Sequence, residues 1–97
     1  MKTTSEILNL LKSYKNIATS KYGLPKIGIF GSVARGEQTD ESDVDVCYEG
    51  KVPSFFTLDL IQTDLEKLFK AKVNMVRVRV RMNGLLKQRI MKEGIYA

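Results

Sequence analysis

The chain has 97 residues, 43% hydrophobic and 28% charged, which suits one modest hydrophobic core and argues against global disorder. Sixteen basic and eleven acidic residues give a net charge of +5, which attracts polyanions such as nucleotides, nucleic acid or an acidic protein, or serves solubility alone. With no histidine and one cysteine, a zinc cluster, a histidine-based catalytic triad and an intramolecular disulfide are excluded.

The first predicted element is an amphipathic helix that begins near Thr3. Thr3 and Glu6 have the spacing of a capping box, Gly23 is placed to end the helix, and Pro25 prevents its resumption. Apolar residues recur at three-to-four spacing and predict its buried face: Ile7, Leu8, Leu10, Leu11, Tyr14, Ile17 and Ala18. We expect this helix to serve packing.

Two strands with a polar connection between them follow. Lys26–Phe30 is a short apolar run that predicts a buried strand, and it stops at Gly31. Residues 33–35 can form a short helical turn. The second strand is predicted over Asp43–Tyr48, where polar and apolar residues alternate at the start, and Cys47 within it is predicted to be a small core residue.

The rest of the chain alternates helix, strand and helix. A second amphipathic helix begins near Ser54, a strand rich in β-branched residues runs from Val73 to about Val80, and Asn83 could cap a last helix. The predicted buried face of the first of these helices consists of Phe55, Leu58, Ile61, Leu65, Leu68 and Phe69. The last helix carries Leu85, Leu86, Ile90 and Met91. The order α-β-turn-β-α-β-α predicts an α/β (α+β) fold in which helices pack against a small mixed sheet.

No segment predicts membrane insertion or export. No apolar run approaches the roughly 20 residues needed to span a bilayer. Residues 1–6 lack the uninterrupted apolar stretch of a signal peptide. We therefore expect a cytoplasmic protein.

Asp43 and Asp45 are candidate ligands of a divalent cation. Two aspartates at i and i+2 on a strand point to the same face. Mg²⁺ takes hard oxygen ligands, usually one or two carboxylates plus the substrate's phosphate oxygens. Because such a pair repels itself in an empty site, its place at the head of an apolar strand suggests a bound cation. The alternative is a solvated strand edge.

The end of the first strand carries features of a phosphate-binding turn. Gly31 lets the backbone approach a ligand closely, Ser32 adds a hydroxyl donor, and the start of a helical turn favours negative charge. Arg35, one turn further, could reach a phosphate or brace the loop. Each feature alone also fits an ordinary turn or a surface arginine, but together with the two aspartates they indicate a nucleotide site.

The chain contains the stretch Gly31–Gly36 and, further on, Asp43-Val44-Asp45, with the ten residues from Val33 to Ser42 separating Ser32 from Asp43. This pattern resembles the signature of the DNA polymerase beta-like nucleotidyltransferase superfamily. The short chain, which opens and closes with helices, resembles a minimal nucleotidyltransferase (the MNT-type antitoxin group, usually encoded beside a HEPN-domain toxin). The resemblance covers residues 1–97 as a single domain. It implies transfer of AMP from ATP to a tyrosine of the toxin.

The resemblance also implies roles for individual residues. Gly31, Ser32 and Arg35 would bind the nucleotide, and Asp43 and Asp45 would hold Mg²⁺.

Asn74 departs from the family's pattern. The superfamily normally has a third carboxylate in a context like K-V-D-L-V, which helps to hold a second metal and assists deprotonation of the attacking hydroxyl; residues 72–76 here place Asn74 at that position. An asparagine oxygen can accept a hydrogen bond or weakly coordinate a metal, but it takes no proton at neutral pH. Loss of a general base costs roughly 10²–10⁴ in rate. Glu49 is a conceivable substitute from another stretch of the chain.

Two functions therefore stay open. One is an enzyme that moves AMP onto a partner's hydroxyl, with Asn74 orienting the reactants. The other is a degenerate nucleotidyltransferase that neutralises its partner by binding, with or without nucleotide. A third possibility, a subunit acting on small molecules as antibiotic nucleotidyltransferases do, lacks the extra helical domain that would hold the acceptor.

A row of arginines ends the third predicted strand. Arg77, Arg79 and Arg81 alternate with valines and so share one face. They could meet RNA, an acidic toxin surface or the triphosphate tail, or they could protect a solvated edge strand from aggregation. Nucleic acid is thus a possible but not a required partner.

Overall fold

The structure, a computed structural model, describes residues 2–51, 54–79, 82 and 84–97. The elements follow in the order α1 (Thr4–Tyr22), β1 (Lys26–Phe30), α2 (Gly31–Arg35), β2 (Val44–Glu49), α3 (Phe55–Phe69), β3 (Val73–Arg77), α4 (Gly84–Glu93) and β4 (Ile95–Tyr96). The predicted order α-β-turn-β-α-β-α is confirmed, and β4 is an addition that the sequence did not indicate.

The strands form one mixed sheet in the order β3-β2-β1-β4. β1 is antiparallel to both of its neighbours, whereas β2 and β3 are parallel. Phe30 at the end of β1 is opposite Asp45, and Asp45 is opposite Asn74. The carboxyl end of β1 and the amino ends of β2 and β3 therefore meet at the same end of the sheet.

Each face of the sheet has its own buried cluster, because side chains alternate along a strand. Under α1 and α3 the main cluster consists of Ile7, Leu11, Tyr14, Ala18, Leu24, Ile27, Ile29, Val33, Val44, Val46, Tyr48, Ile61, Leu65, Phe69 and Val73. The smaller cluster joins Phe30, Cys47 and Ile90 under α4. The prediction that Cys47 is a core residue is confirmed, since its side chain is fully buried.

The ends of α1 follow their sequence signals. The Thr3 hydroxyl accepts a hydrogen bond from the Glu6 N–H at 3.2 Å, and the Glu6 carboxylate accepts one from the Thr3 N–H at 3.0 Å. The hydrogen bond that the Thr3 N–H donates to the ionised carboxylate lowers the pKa of Glu6. Gly23 ends the helix with a φ of 71°, a conformation that suits glycine. The predicted cap residues are confirmed.

Two apolar residues predicted to lie on buried helix faces are exposed, namely Ile17 and Phe55, and Leu85 and Met91 of α4 are also exposed. For Phe55, which is 87% exposed, the reason is geometric. It precedes the buried Ile61 by six residues, which places it about 120° around the helix from that face. The prediction from periodicity was therefore wrong for Phe55, the first residue of α3, which does not belong to the buried face of the helix.

Two predicted strand limits also differ from the structure. β2 begins at Val44, so Asp43 lies just before the strand, and β2 extends to Glu49. β3 ends at Arg77. The predicted strand end at Val80 and the predicted cap at Asn83 lie outside the described residues. Within the described ranges, no helix has both the length and the apolar character that crossing a bilayer requires.

Candidate active site

The candidate site residues meet where β1 ends and β2 and β3 begin. Phe30 pairs with Asp45 across β1 and β2, and Asp45 pairs with Asn74 across β2 and β3. Gly31 follows Phe30 directly and opens α2. The sheet register therefore places the glycine turn, a carboxylate and an amide side by side, although they are far apart in sequence.

Asn74 contacts both predicted metal ligands. Its Nδ2 donates to Asp43 Oδ2 and to Asp45 Oδ1, each at 3.2 Å. Asp43 thus reaches the same point as Asp45, although it lies outside the strand. The two carboxylates, called the carboxylate pair below, converge on a single nitrogen atom.

Gly31 packs directly against one member of this pair. Its φ is 72°, which favours glycine, and a Cβ added at this position would collide with Asp45 Oδ2. From the sequence alone, the expected role of this glycine is to let a phosphate approach the backbone closely. The structure adds a second requirement, because any side chain would displace a carboxylate of the site.

The turn that follows Gly31 is a short helix with open backbone donors at its start. Phe30 is the N-cap residue and makes no side-chain capping hydrogen bond. Ser32, half-buried, occupies the second helical position. Gly36 closes the helix with a φ of 73°, and the Glu37 N–H donates to Ser32 O at 2.9 Å. The first N–H groups of α2 are therefore not occupied by a capping side chain.

Arg35 braces this turn against α4. Its Nη1 lies 2.9 Å from Glu93 Oε2, and its Nε lies 3.1 Å from Glu37 Oε2. The hydrogen bond to Glu37 and the nearby charge of Glu93 raise the pKa of Arg35. Of the two roles considered from the sequence, these contacts correspond to bracing. Sequence reasoning missed Glu93, which lies 58 positions away.

A second contact holds the turn from the other side. The Thr4 hydroxyl, in the first turn of α1, donates to the Val33 carbonyl oxygen at 2.5 Å. Nothing in the sequence marks Thr4 as part of the site, because a hydroxyl near a helix start is ordinary capping chemistry. α2 is thus fixed to both α1 and α4.

The remaining candidates lie away from the carboxylate pair. Glu49 pairs with Lys26 in the sheet register, and their charged groups are 3.9 Å apart. Because Glu49 lies four residues along β2 from Asp45, it cannot act as a third carboxylate beside Asp43 and Asp45, and that suggestion was wrong. Arg77 and Arg79 are exposed on or beside the edge strand β3, as expected for a charged strand edge. Arg81 lies outside the described residues.

The side chains of the site fit a hard cation whose oxygen ligands come partly from the protein and partly from a substrate. Among the described residues there is no group of three or more His, Cys, Asp or Glu that could hold a metal ion. The carboxylate pair offers oxygen ligands, and Mg²⁺ commonly takes one or two carboxylates and completes its shell with phosphate oxygens and water. The side chains therefore suit Mg²⁺ bound together with a phosphate ligand.

Comparison with known proteins identifies close relatives along nearly the full length of the chain. A Methanocaldococcus jannaschii protein named as a putative protein adenylyltransferase is 42% identical over 99% of each chain. Protein adenylyltransferase MntA of Thermococcus cleftensis is 31% identical and covers 99% of this chain and 97% of its own.

A solved structure and a family match extend the comparison. A crystal structure of a toxin–antitoxin with AMP-PNP superposes with a TM-score of 0.68 over 98% of this chain and 72% of its own. At 21% identity, that likeness shows the fold alone. Residues 5–96 match the family described as Polymerase beta, Nucleotidyltransferase. The resemblance drawn from the Gly-Ser turn and the paired aspartates is confirmed, and the chain belongs to the polymerase beta nucleotidyltransferase family.

Proposed function

We propose that this chain is a protein adenylyltransferase that acts as the antitoxin of a toxin–antitoxin pair. It would transfer AMP from ATP, in the cytoplasm, to a tyrosine hydroxyl of a HEPN-type toxin. The names of its relatives support adenylyl transfer to a protein, and the shared fold of a toxin–antitoxin that contains AMP-PNP supports the setting. The observation that carries the proposal is the convergence of Asp43 and Asp45 beside Gly31.

The proposal gives each residue a distinct role. Asp43 and Asp45 hold Mg²⁺, the backbone N–H groups after Gly31 and the Ser32 hydroxyl bind the phosphates, and Asn74 orients the ligands. Arg35 keeps the turn in place through α4. When bound, Mg²⁺ neutralises charge on the triphosphate and on the departing pyrophosphate.

In the reaction the acceptor hydroxyl oxygen forms a bond to the α-phosphorus of ATP. The bond between the α-phosphorus and the bridging oxygen to the β-phosphate breaks, and pyrophosphate leaves with that electron pair. The proton of the hydroxyl goes to water or to a base of the partner, because the Asn74 amide cannot take it. The contribution of this chain is then positioning and electrostatic stabilisation.

Asn74 also favours a second candidate function. An amide at this place removes a proton acceptor and a negative charge, which weakens catalysis more than nucleotide binding. The chain would then be a degenerate nucleotidyltransferase that neutralises its partner by binding, with or without nucleotide. The intact carboxylate pair and the Gly31 turn favour the enzyme.

The experiment is transfer of label from α-³²P-ATP, with Mg²⁺, to the purified protein encoded beside this chain. Asp43→Asn and Asp45→Asn should each abolish labelling and Mg²⁺-dependent ATP binding measured by calorimetry. Asp59→Asn, which removes the same charge from an exposed site on α3, is the matched control and should behave like the wild type. Wild-type affinity for Mg²⁺-ATP in both site variants would refute the proposal, and binding without labelling would establish the degenerate alternative.

A further inference from the structure

The side-chain nitrogen of Asn74 is fully used by the carboxylate pair. A primary amide nitrogen carries two N–H donors, and Nδ2 directs one hydrogen bond to Asp43 and one to Asp45. Hydrogen bonds to ionised carboxylates are stronger than neutral ones. Asn74 therefore binds both carboxylates in the way that a cation placed between them would.

No lysine or arginine among the described residues forms an ion pair with either carboxylate of the pair. None of the ion pairs between described residues includes Asp43 or Asp45. Two carboxylates held on one face repel each other, and the partial positive charge of the amide offsets part of that cost, which no ion pair between described residues offsets. A carboxylate at position 74 would instead add a third negative charge at 3.2 Å from the other two.

We infer that Asn74 is a positioning residue that stands in for the cation while the site is empty, so that the divalent cation enters together with the triphosphate and not alone. A cation alone would gain two carboxylates but displace both hydrogen bonds of the amide. A cation that arrives with ATP also brings phosphate oxygens as ligands. The inference rests on the proposed function for the presence of a triphosphate.

The same side chain can accommodate the cation without moving the backbone. The amide group of asparagine has an oxygen and a nitrogen in nearly equivalent positions, so rotation about its last torsion exchanges an acceptor for a donor. The turned amide would direct Oδ1 toward the carboxylate pair, where an acceptor is favourable only once a cation is present. Asn74 thus has one suitable orientation for the empty site and another for the loaded one.

Mn²⁺ is the probe for the first test, because the paramagnetic signal of the free ion reports binding directly. The wild type, Asn74→Asp and Asn16→Asp are titrated with Mn²⁺ without nucleotide. Asn16 is exposed on α1, so its variant adds the same charge away from the site. Asn74→Asp should bind Mn²⁺ at least about tenfold more tightly than both others, since it adds a charged ligand. Equal affinity of the wild type and Asn74→Asp would overturn the inference.

Stability in EDTA is the second readout. Asn74→Asp should lower the melting temperature by roughly 4 °C or more, as a loss of stability near 1 kcal/mol does in a domain of this size, and Mn²⁺ should restore it. Asn74→Ala, which removes the hydrogen bonds without adding charge, should also melt below the wild type, whereas Asn16→Asp should not. Unchanged melting of both Asn74 variants would overturn the inference.

A third measurement separates this inference from the proposed function. With AMP-PNP present, the affinity of the wild type for Mn²⁺ should rise at least about tenfold, since phosphate oxygens complete the ligand set. If Mn²⁺ binds the wild type with the same affinity with and without AMP-PNP, the coupled entry of cation and triphosphate is wrong. If AMP-PNP does not bind at all, the proposed function fails, while the role of Asn74 in the empty site is still decided by the melting data.

Discussion

Asp45 and Asn74 are direct partners in the parallel pairing of β2 and β3, and Asn74 Nδ2 donates to Asp45 Oδ1 at 3.2 Å. The relationship places a neutral donor between two carboxylates, because the same nitrogen also donates to Asp43. A donor between two carboxylates stabilises the empty site, whereas an acid there would add a third negative charge unless it held a proton or a cation were bound.

Gly31→Ala should destabilise the protein and weaken Mg²⁺-ATP binding. A positive φ costs a non-glycine residue about 1–2 kcal/mol, and here the added Cβ also meets Asp45 Oδ2. We expect the free energy of unfolding to fall by more than that backbone cost alone. Chemical denaturation gives the stability, and calorimetry gives the affinity for Mg²⁺-ATP.

Gly23→Ala is the matched control for Gly31→Ala. Gly23 has a φ of 71°, nearly the same as at Gly31, but apart from its chain neighbours and its own helix backbone no atom of a described residue lies within 4 Å of its added Cβ. It should show the backbone cost without any loss of Mg²⁺-ATP affinity. If both variants lose the same stability and both bind normally, the contact between Gly31 and Asp45 has no role in the site.

Local signals in the sequence predicted much of the fold. The limits of β1 match the apolar run Lys26–Phe30, and both the capping box at Thr3 and the end at Gly23 occur where their residue types indicate. Such features depend on neighbours within a few positions, so a single sequence contains them. The spacing of Asp43 and Asp45 likewise predicted their shared face.

Contacts between distant segments could not be predicted in this way. The pairing of Arg35 with Glu93 and the hydrogen bond from Thr4 to Val33 join residues far apart in the chain. No periodic pattern in the sequence indicates these two contacts. The exposed Phe55 shows the related limit for burial, since residue type alone does not tell which side of the first helical turn faces the core.

Arg35→Ala should weaken Mg²⁺-ATP binding only modestly if the arginine acts as a brace. The ion pair with Glu37 is exposed and the pair with Glu93 is partly exposed. Pairs in contact with solvent contribute little, so we expect a loss of no more than about fivefold. Glu93→Gln should cause a similar loss, and combining the two substitutions should add little. Calorimetry at low and high salt measures these effects, which should shrink as salt screens the pairs.

A direct phosphate contact by Arg35 would give a different pattern. Glu93→Gln would then leave the affinity intact or raise it, because the arginine would be freed from a competing carboxylate. Arg35→Ala alone would cause a large loss.

The burial of Cys47 should make stability decrease at alkaline pH. Burial raises the pKa of the thiol from 9.0 to about 11, because the thiolate is poorly solvated in the core. Above pH 9 the unfolded chain ionises more readily than the folded protein, so the free energy of unfolding is unaffected below pH 9 and falls between pH 9 and 11, by up to about 2–3 kcal/mol. Denaturation at a series of pH values measures it.

Cys47→Ala removes this contribution. Burial also raises the pKa values of Tyr14, Tyr48 and Tyr96, and these shifts act in the same direction in both proteins. Cys47 adds to the shift of Tyr96, so the variant also loses that smaller part. The variant should therefore be less stable at neutral pH, through loss of packing, but should lose less stability than the wild type between pH 9 and 11. Parallel pH profiles of the two proteins would contradict the prediction.

Asn74→Asp should raise the rate of AMP transfer to the partner protein. The new carboxylate would lie about 3.2 Å from the carboxylate pair, given the present position of Nδ2, and could both bind the cation and accept the proton of the attacking hydroxyl. General-base effects of roughly 10²–10⁴ set the scale, so we expect a gain of about tenfold or more. Transfer of ³²P label under single-turnover conditions measures the chemical step.

The wild-type rate decides between the two candidate functions in the same experiment. Label transfer by the wild type that is lost in Asp43→Asn identifies an enzyme that works without a base at position 74. Transfer by Asn74→Asp but not by the wild type identifies a chain that kept its nucleotide site and lost its catalysis, because one carboxylate then suffices to restore the reaction. If Asn74→Asp changes neither transfer nor cation affinity, residue 74 has no part in the chemistry, and its contact with Asp45 is structural.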